Sequence, residues 1–209
     1  MKNLKVIGLT GTYCAGKNYV SSLIEAHGIP ALDLDKLGHQ VIEAEKERIT
    51  RIFGEDILSP AGAVDRKRLG EKVFGRPEKL AALEEIVHPA VNRETLSWIN
   101  ARNEKACVIN AALLHRSSAF KMMDAIIIVE APFIERLFRA KMRDHLSWPA
   151  LIRRFKSQKD FHSQYFKGKT DIYRVSNPSV CSNSVFFGLF LRQRPENRIR
   201  EILSLLGLI

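Results

Sequence analysis

Cysteine is scarce in this 209-residue chain: Cys14, Cys107 and Cys181 stand far apart and are odd in number. That spacing argues against a disulfide framework or a zinc site and predicts a reducing, cytoplasmic setting. Long apolar runs are also missing, since none approaches the ~20 residues needed to cross a bilayer. Met1-Lys2-Asn3-Leu4-Lys5 leads directly into a strand pattern, so no signal peptide is expected. Internal repeats and low-complexity linkers are absent. Acidic side chains are in the minority, with 23 Asp and Glu against 33 Lys and Arg, a net charge of +10. Such a surplus suits nucleic acid and polyphosphate ligands alike. Helix-turn-helix, RNA-recognition and zinc-finger signatures are lacking, however, so neither nucleic acid nor a membrane is the expected partner.

The remaining composition is that of an ordinary globule, 45% apolar and 27% charged. The length suffices for one α/β domain with a substantial core. Strand patterns are expected at about residues 4–10, 31–33, 106–110, 125–130 and 170–175. Continuous apolar runs such as Ala125-Ile126-Ile127-Ile128-Val129 suit strands buried on both faces of a parallel sheet. Helices are expected at about 16–27, 132–144, 148–162 and after Pro195. Helical patterns also dominate from Leu34 to Asn103, where turn signals at Gly54, Ser59–Gly62, Gly75–Pro77 and His88-Pro89 predict several separate helices. Residues 176–194 give no clear pattern, and Val185–Leu191 reads as an extra strand or a buried loop. The alternation predicts a three-layer α/β sandwich around a mostly parallel five-stranded sheet.

The most informative segment is KVIGLTGTYCAGKN, residues 5–18. A short apolar strand runs into Gly11-Thr12-Tyr13-Cys14-Ala15-Gly16-Lys17, and a helical pattern follows with Val20, Leu23 and Ile24 apolar. This is the layout of a P-loop. Its glycines let backbone N–H groups turn inward onto phosphate oxygens at a helix N-terminus, and the lysine reaches the outer phosphates. ATP is therefore the expected ligand of residues 11–18. The motif asks for Ser or Thr after the lysine, to place a hydroxyl on Mg²⁺, but this chain has Asn18. An amide carbonyl is still a hard oxygen ligand, so Asn18 is a candidate metal ligand, directly or through water. Phosphate binding is expected to survive this change better than metal geometry. Cys14, inside the loop and close to Lys17, is expected to have a lowered thiol pKa.

Two further constellations bear on chemistry. Asp33 and Asp35 form a D-x-D pair after the second strand, where extended chain turns both to one side. Asp33 is the candidate general base. Asp35 is a candidate ligand for Mg²⁺ through water or for substrate, or else the N-cap of the next helix. Arg136, Arg139 and Arg143 recur at helical spacing. Either they clamp a transferring phosphoryl group or they pair with Glu135 and Asp144 on a solvated face.

Taken together, these pieces resemble the dephospho-CoA kinase family. Gly8–Asn18 is similar to the family's GLTGGIGSGKS-like opening, and Asp33-Leu34-Asp35 to its D-A-D. Gly62-Ala63-Val64-Asp65-Arg66 through Val73-Phe74 resembles its G-x-L-D-R-x-x-L-x-x-x-V-F. His88-Pro89 matches its H-P, and Arg139 and Arg143-Asp144 match its arginine helix. The resemblance covers about residues 5–160. It implies a P-loop kinase core as a single domain over 1–209, with a helical acceptor-binding insertion at about 36–103 and a lid at about 136–165. It also implies transfer of the ATP γ-phosphate to the 3′-hydroxyl of dephospho-CoA. On that reading Lys17, Asp33 and Arg139 are catalytic, and Gly11 to Asn18 with Arg143 bind ATP. Asp35, Arg66 and His88 face the acceptor. The chain departs from the family after strand 3, where D-x-P-L-L-F-E is replaced by Asn110-Ala111-Ala112-Leu113-Leu114-His115-Arg116. Two alternatives stay open on these residues: a nucleotide- or CoA-binding protein without catalysis, and a kinase for another small acceptor.

Overall fold

The computed structural model describes residues 4–156, 165, 170–178 and 194–209. The chain divides into two compact units. One joins Met1–Leu32 to Arg102–Ile209, and the other is Asp33–Ala101. The first is built on β1 (Lys5–Gly11), β2 (Ala31–Asp33), β3 (Ala106–Asn110), β4 (Ala125–Glu130) and β5 (Asp171–Ser176). They lie in the order β2-β3-β1-β4-β5. The β1–β3, β1–β4 and β4–β5 pairings are all parallel.

Alternation along the strands sends side chains to two covered faces, which explains the unbroken apolar runs. On one face Ile7, Leu9, Val108, Ile127, Val129 and Val175 pack against α1 (Lys17–Glu25) and α8, the C-terminal helix Pro195–Leu205. On the other, short 3₁₀ turns at Leu114–Arg116 and Ser118–Met122 bring Leu114 and Met123 beneath Gly8. There Tyr165, almost fully buried, places its hydroxyl near Thr10 Oγ1 and His115 Nδ1. The three-layer α/β sandwich is thus as the sequence predicts, and the third and fourth strands span the expected residues.

The second unit is helical. It holds α2 (Leu34–Ala44), α3 (Lys46–Phe53), α4 (Arg66–Val73) and α5 (Pro77–Asn100). Its core is Ile49, Phe53, Ile57, Leu69, Val73 and Ile86. Asp65 caps α4 by accepting from the N–H groups of Lys67 and Arg68 at 2.9 and 3.2 Å.

One boundary differs from expectation. His88-Pro89 does not divide two helices, because Pro89 lies inside the 24-residue α5. Proline there removes one i to i−4 hydrogen bond. Packing outweighs that local loss: Ile86 and Ala90 are buried on either side, and α5 contacts α2, α3 and α4. The expected strand or loop at Val185–Leu191 and the thiol of Cys181 lie outside the described residues. Among the described residues no helix is long and apolar enough to cross a membrane.

The next helices, α6 (Phe133–Asp144) and α7 (Trp148–Lys156), follow β4. Their arginines belong to the candidate site.

Candidate active site

The loop from Gly11 to Gly16 leaves the C-terminal end of β1, the middle strand of the sheet. Gly11 lies hard against β4, where a Cβ would come within 2.8 Å of the Val129 carbonyl oxygen. Cys14 and Gly16 are both left-handed, with φ of 59° and 92°. Alternation of this kind turns successive N–H groups to the inside of the loop, forming an anion-binding nest. Gly16 is also the N-cap of α1, and no side chain caps that helix end. The first N–H groups of α1 and the side chain of Lys17, its first residue, share this end of the helix.

The Ala15 carbonyl is held from two sides. Asn177, just past β5, donates to it through Nδ2 at 2.8 Å, and Arg139 on α6 donates through Nη1 at 3.3 Å. Arg139 also reaches the Asn177 carbonyl at 3.0 Å and Glu135 at 3.2 Å. Asn177 is itself fixed by its backbone N–H, which donates to the Glu130 carbonyl at 2.7 Å. The sequence reading misses Asn177, which falls in the stretch 176–194 that gives no clear pattern. Its place immediately after a strand, at the edge where ligands bind in parallel sheets, is the signal that was available.

Tyr13 forms a second contact with the α6–α7 region. Its hydroxyl donates to Asp144, and its ring is flanked by the guanidinium groups of Arg143 and Arg154 at 5.2 and 5.3 Å. The Phe155 ring meets it edge-on at 5.2 Å. Arg143 pairs with Asp144 at 2.7 Å, which raises the arginine's pKa and lowers that of the carboxylate. The pairing with acidic neighbours is found for two of the three arginines. Arg139 and Arg143 do pair with Glu135 and Asp144, yet each also touches the phosphate loop. Arg136 instead stacks over Phe133 and Phe155 at 5.9 and 5.2 Å.

Two expectations are corrected here. The Cys14 thiol is pushed up, not down, because burial outweighs the nearby Arg143 and Arg139. In addition, Asp33 and Asp35 do not share a side of an extended strand. Asp33 ends β2 and caps α2, accepting from the N–H groups of Asp35 and Lys36 at 2.9 and 3.2 Å. Asp35 stands in the first helical turn, so the cap is Asp33 and the two-residue alternation stops there.

Asn18, the second residue of α1, accepts a hydrogen bond at Oδ1 from Asn110 Nδ2 at 3.2 Å. Asn110 closes β3 and is 2% exposed, and its own Oδ1 is buried without a hydrogen-bond partner. That oxygen is hard and neutral, which suits Mg²⁺ or one of its waters. Among the described residues no three His, Cys, Asp or Glu side chains group as a metal site.

Within the helical unit, Arg66 opens α4 and donates through Nη1 to His39 Nδ1 at 2.8 Å. Arg66, His39, Gln40, Ile42, Glu43 and Val64 line an open cavity of about 340 Å³. His88 is exposed midway along α5.

A family model described as dephospho-CoA kinase matches residues 5–172. A dephospho-CoA kinase of Dehalococcoides mccartyi is 32% identical over 186 residues, covering 87% of this chain and 89% of its own. One from Shouchella clausii is 37% identical over 147 residues, covering 68% and 75%. Among solved structures, TT1252 from Thermus thermophilus superposes with a TM-score of 0.76 at 26% identity, covering 98% of this chain and 97% of that one. Dephospho-CoA kinase from Campylobacter jejuni, at 21% identity and a TM-score of 0.63, shares the fold, covering 97% of each chain. Phosphate loop, sheet and family match thus run through the same residues, and this chain belongs to the dephospho-CoA kinase family.

Proposed function

We propose that this chain uses ATP to phosphorylate the 3′-hydroxyl of dephospho-CoA, giving coenzyme A. The observation that carries this reading is the preformed loop. Two left-handed residues, an uncapped helix N-terminus and Lys17 stand together on the middle strand of a chain from this family. Such a loop binds the tail of a nucleoside triphosphate because its N–H groups are already turned inward, so little reorganisation accompanies binding.

The proposed roles follow the chemistry of each group. Lys17 meets the outer phosphates as a point charge. Arg139 and Arg143 supply charge to the equatorial oxygens of the transferring group, with Arg139 already tied to the loop through Ala15. Asp33, a half-buried carboxylate at the end of β2, accepts the proton of the acceptor hydroxyl. A divalent cation bound with the nucleotide would neutralise phosphate charge; Asn18 and Asn110 would offer it amide oxygens, and Asp35 is a candidate carboxylate for its water shell. Arg66 and His88 belong to the helical unit that takes the acceptor. The cavity beside Arg66 offers a cation and a polar rim to a phosphorylated ligand.

The test is direct. Purified protein is mixed with ATP, Mg²⁺ and dephospho-CoA, and CoA is followed by mass spectrometry. Formation of CoA that disappears in Lys17→Ala is the expected result. ATP binding with no CoA formed would leave a nucleotide-binding protein, and turnover with a different acceptor would reassign the substrate.

A further inference from the structure

The two positions at which this chain lacks the usual magnesium-holding residues of a P-loop protein touch one another. The hydroxyl after the loop lysine is replaced by Asn18, and the carboxylate at the end of the neighbouring strand by Asn110. They are 92 residues apart and meet because β3 runs parallel to β1, with Asn110 level with Leu9. The contact also fixes how Asn110 is used. Its Nδ2 is given to Asn18, so the stranded atom is Oδ1, a buried carbonyl oxygen with no donor. Leaving such an atom unsatisfied costs about 1–3 kcal/mol. Turning the amide over only moves the deficit to Nδ2, since one end of Asn110 must face Asn18 in either orientation. In either orientation the site beside the phosphate loop has room for one more polar partner, and in the orientation that donates to Asn18 the available atom is an oxygen.

We propose that Asn18 and Asn110 act as one neutral amide pair that serves the nucleotide's divalent cation through the Asn110 carbonyl, in place of a negatively charged cation site. This rests on the nucleotide-binding reading above. A hydroxyl and a carboxylate at these two positions bring one negative charge close to the phosphates; two amides bring none. A carboxylate there repels the phosphate tail until a cation screens it, which makes nucleotide binding conditional on the cation. The amide pair removes that repulsion. Nucleotide is then held by Lys17 and the loop N–H groups with little help from the metal, and the metal is held chiefly by the nucleotide. The pair is also self-consistent as a unit. The amide donor at 110 is matched to the acceptor at 18, so a change at one member alters the contact made by the other.

The test is calorimetric titration of the full chain with ADP, once with excess Mg²⁺ and once with EDTA, for the wild type, N18S, N110D and N18S/N110D. The wild type is expected to bind ADP with a Mg²⁺-to-EDTA affinity ratio within about threefold. In N18S/N110D the EDTA affinity is expected to fall by about tenfold or more, with Mg²⁺ restoring it. The single changes are expected to be non-additive, their combined loss with Mg²⁺ exceeding that of the double variant by about fivefold. Thermal unfolding checks that each variant is folded, and the wild-type ratio needs no variant at all. A wild type that loses tenfold in ADP affinity with EDTA overturns the proposal, as does strict additivity among folded variants. Failure of ADP to bind under either condition sinks the nucleotide reading itself, whereas binding with strong cation dependence sinks the amide pair alone.

Discussion

The side-chain amide of Asn177 donates to the Ala15 carbonyl at 2.8 Å, spanning 162 residues of sequence. It thereby ties the end of β5 to the phosphate loop at the residue before Gly16. A loop that presents its N–H groups inward must turn carbonyls outward, and those carbonyls need donors. Asn177 and Arg139 are the donors for Ala15. Arg139 in turn connects the loop to α6, so the loop's shape and the position of its nearest arginine are set by one small network.

Asn177→Ala removes a buried hydrogen bond, at a cost of about 1–2 kcal/mol in stability. It should lower ADP affinity by about tenfold, because the loop N–H groups lose their preset direction. Asn177→Asp should be worse than Asn177→Ala in both respects, since it sets a carboxylate oxygen against a carbonyl oxygen. Gly16→Ala attacks the same joint from the other side. It places a side chain at φ 92° and drives its Cβ into the Asn177 amide. Titration calorimetry and thermal unfolding read both effects; wild-type ADP affinity in Asn177→Ala would remove this strut from the account.

Asp33 has two proposed duties that one pair of substitutions separates. Asparagine caps a helix about as well as aspartate, so Asp33→Asn should keep stability within about 0.5 kcal/mol. It should still lower kcat by about 10²–10⁴, the usual worth of a general base. Asp33→Ala should lose the cap as well, costing a further ~1 kcal/mol. Steady-state kinetics and melting curves measured together decide the matter, and full activity in Asp33→Asn excludes a role as base.

Cys14 should react slowly with iodoacetamide at neutral pH, because burial holds its thiol pKa above the ordinary value. The rate should rise as pH increases past that ordinary value, and ADP should protect the residue. Cys107, fully buried with a pKa pushed up to about 11, should stay unmodified in the folded protein. Peptide mass spectrometry follows each thiol separately. Complete alkylation of Cys14 is expected to block nucleotide binding, and unchanged ADP affinity afterwards would refute its place in the loop.

His115 sets a pH dependence of stability. Burial, followed by the charge of Arg116, lowers its pKa, so the fold favours the neutral ring beside the Tyr165 hydroxyl at 3.2 Å. As pH falls through the ordinary histidine value of ~6.5, the unfolded chain takes up this proton before the folded one does. Stability from this residue is therefore fully present above that pH and is lost below it, until the lowered folded value is reached. His115→Gln should flatten that part of the profile relative to wild type, as measured by melting temperature from pH 7.5 to pH 5.5. Parallel profiles for the two proteins would exclude the effect.

Much of the fold was legible because its signals are local. Ala106–Asn110 and Ala125–Glu130 read as strands from continuous apolar runs, and both occur as read. The phosphate loop was legible for the same reason, since its geometry depends on Gly11 and Gly16 within a few residues of each other. Reading failed where a local signal competed with packing. Pro89 breaks helices in isolation, yet buried neighbours hold α5 through it. Cys14 sits near positive charge, but how deeply it is buried is a property of the folded loop, and that burial outweighs the charge.

The amino-acid sequence by itself determined the class of fold, the phosphate loop with its lysine, and the family, because each is written in short patterns of residue type and spacing. Only the tertiary structure decided what those residues touch. The parallel pairing of β3 with β1 joined Asn18 to Asn110, and the end of β5 brought Asn177 to Ala15. Contacts across 92 and 162 residues depend on strand order in the sheet, and no local pattern of side chains encodes that order.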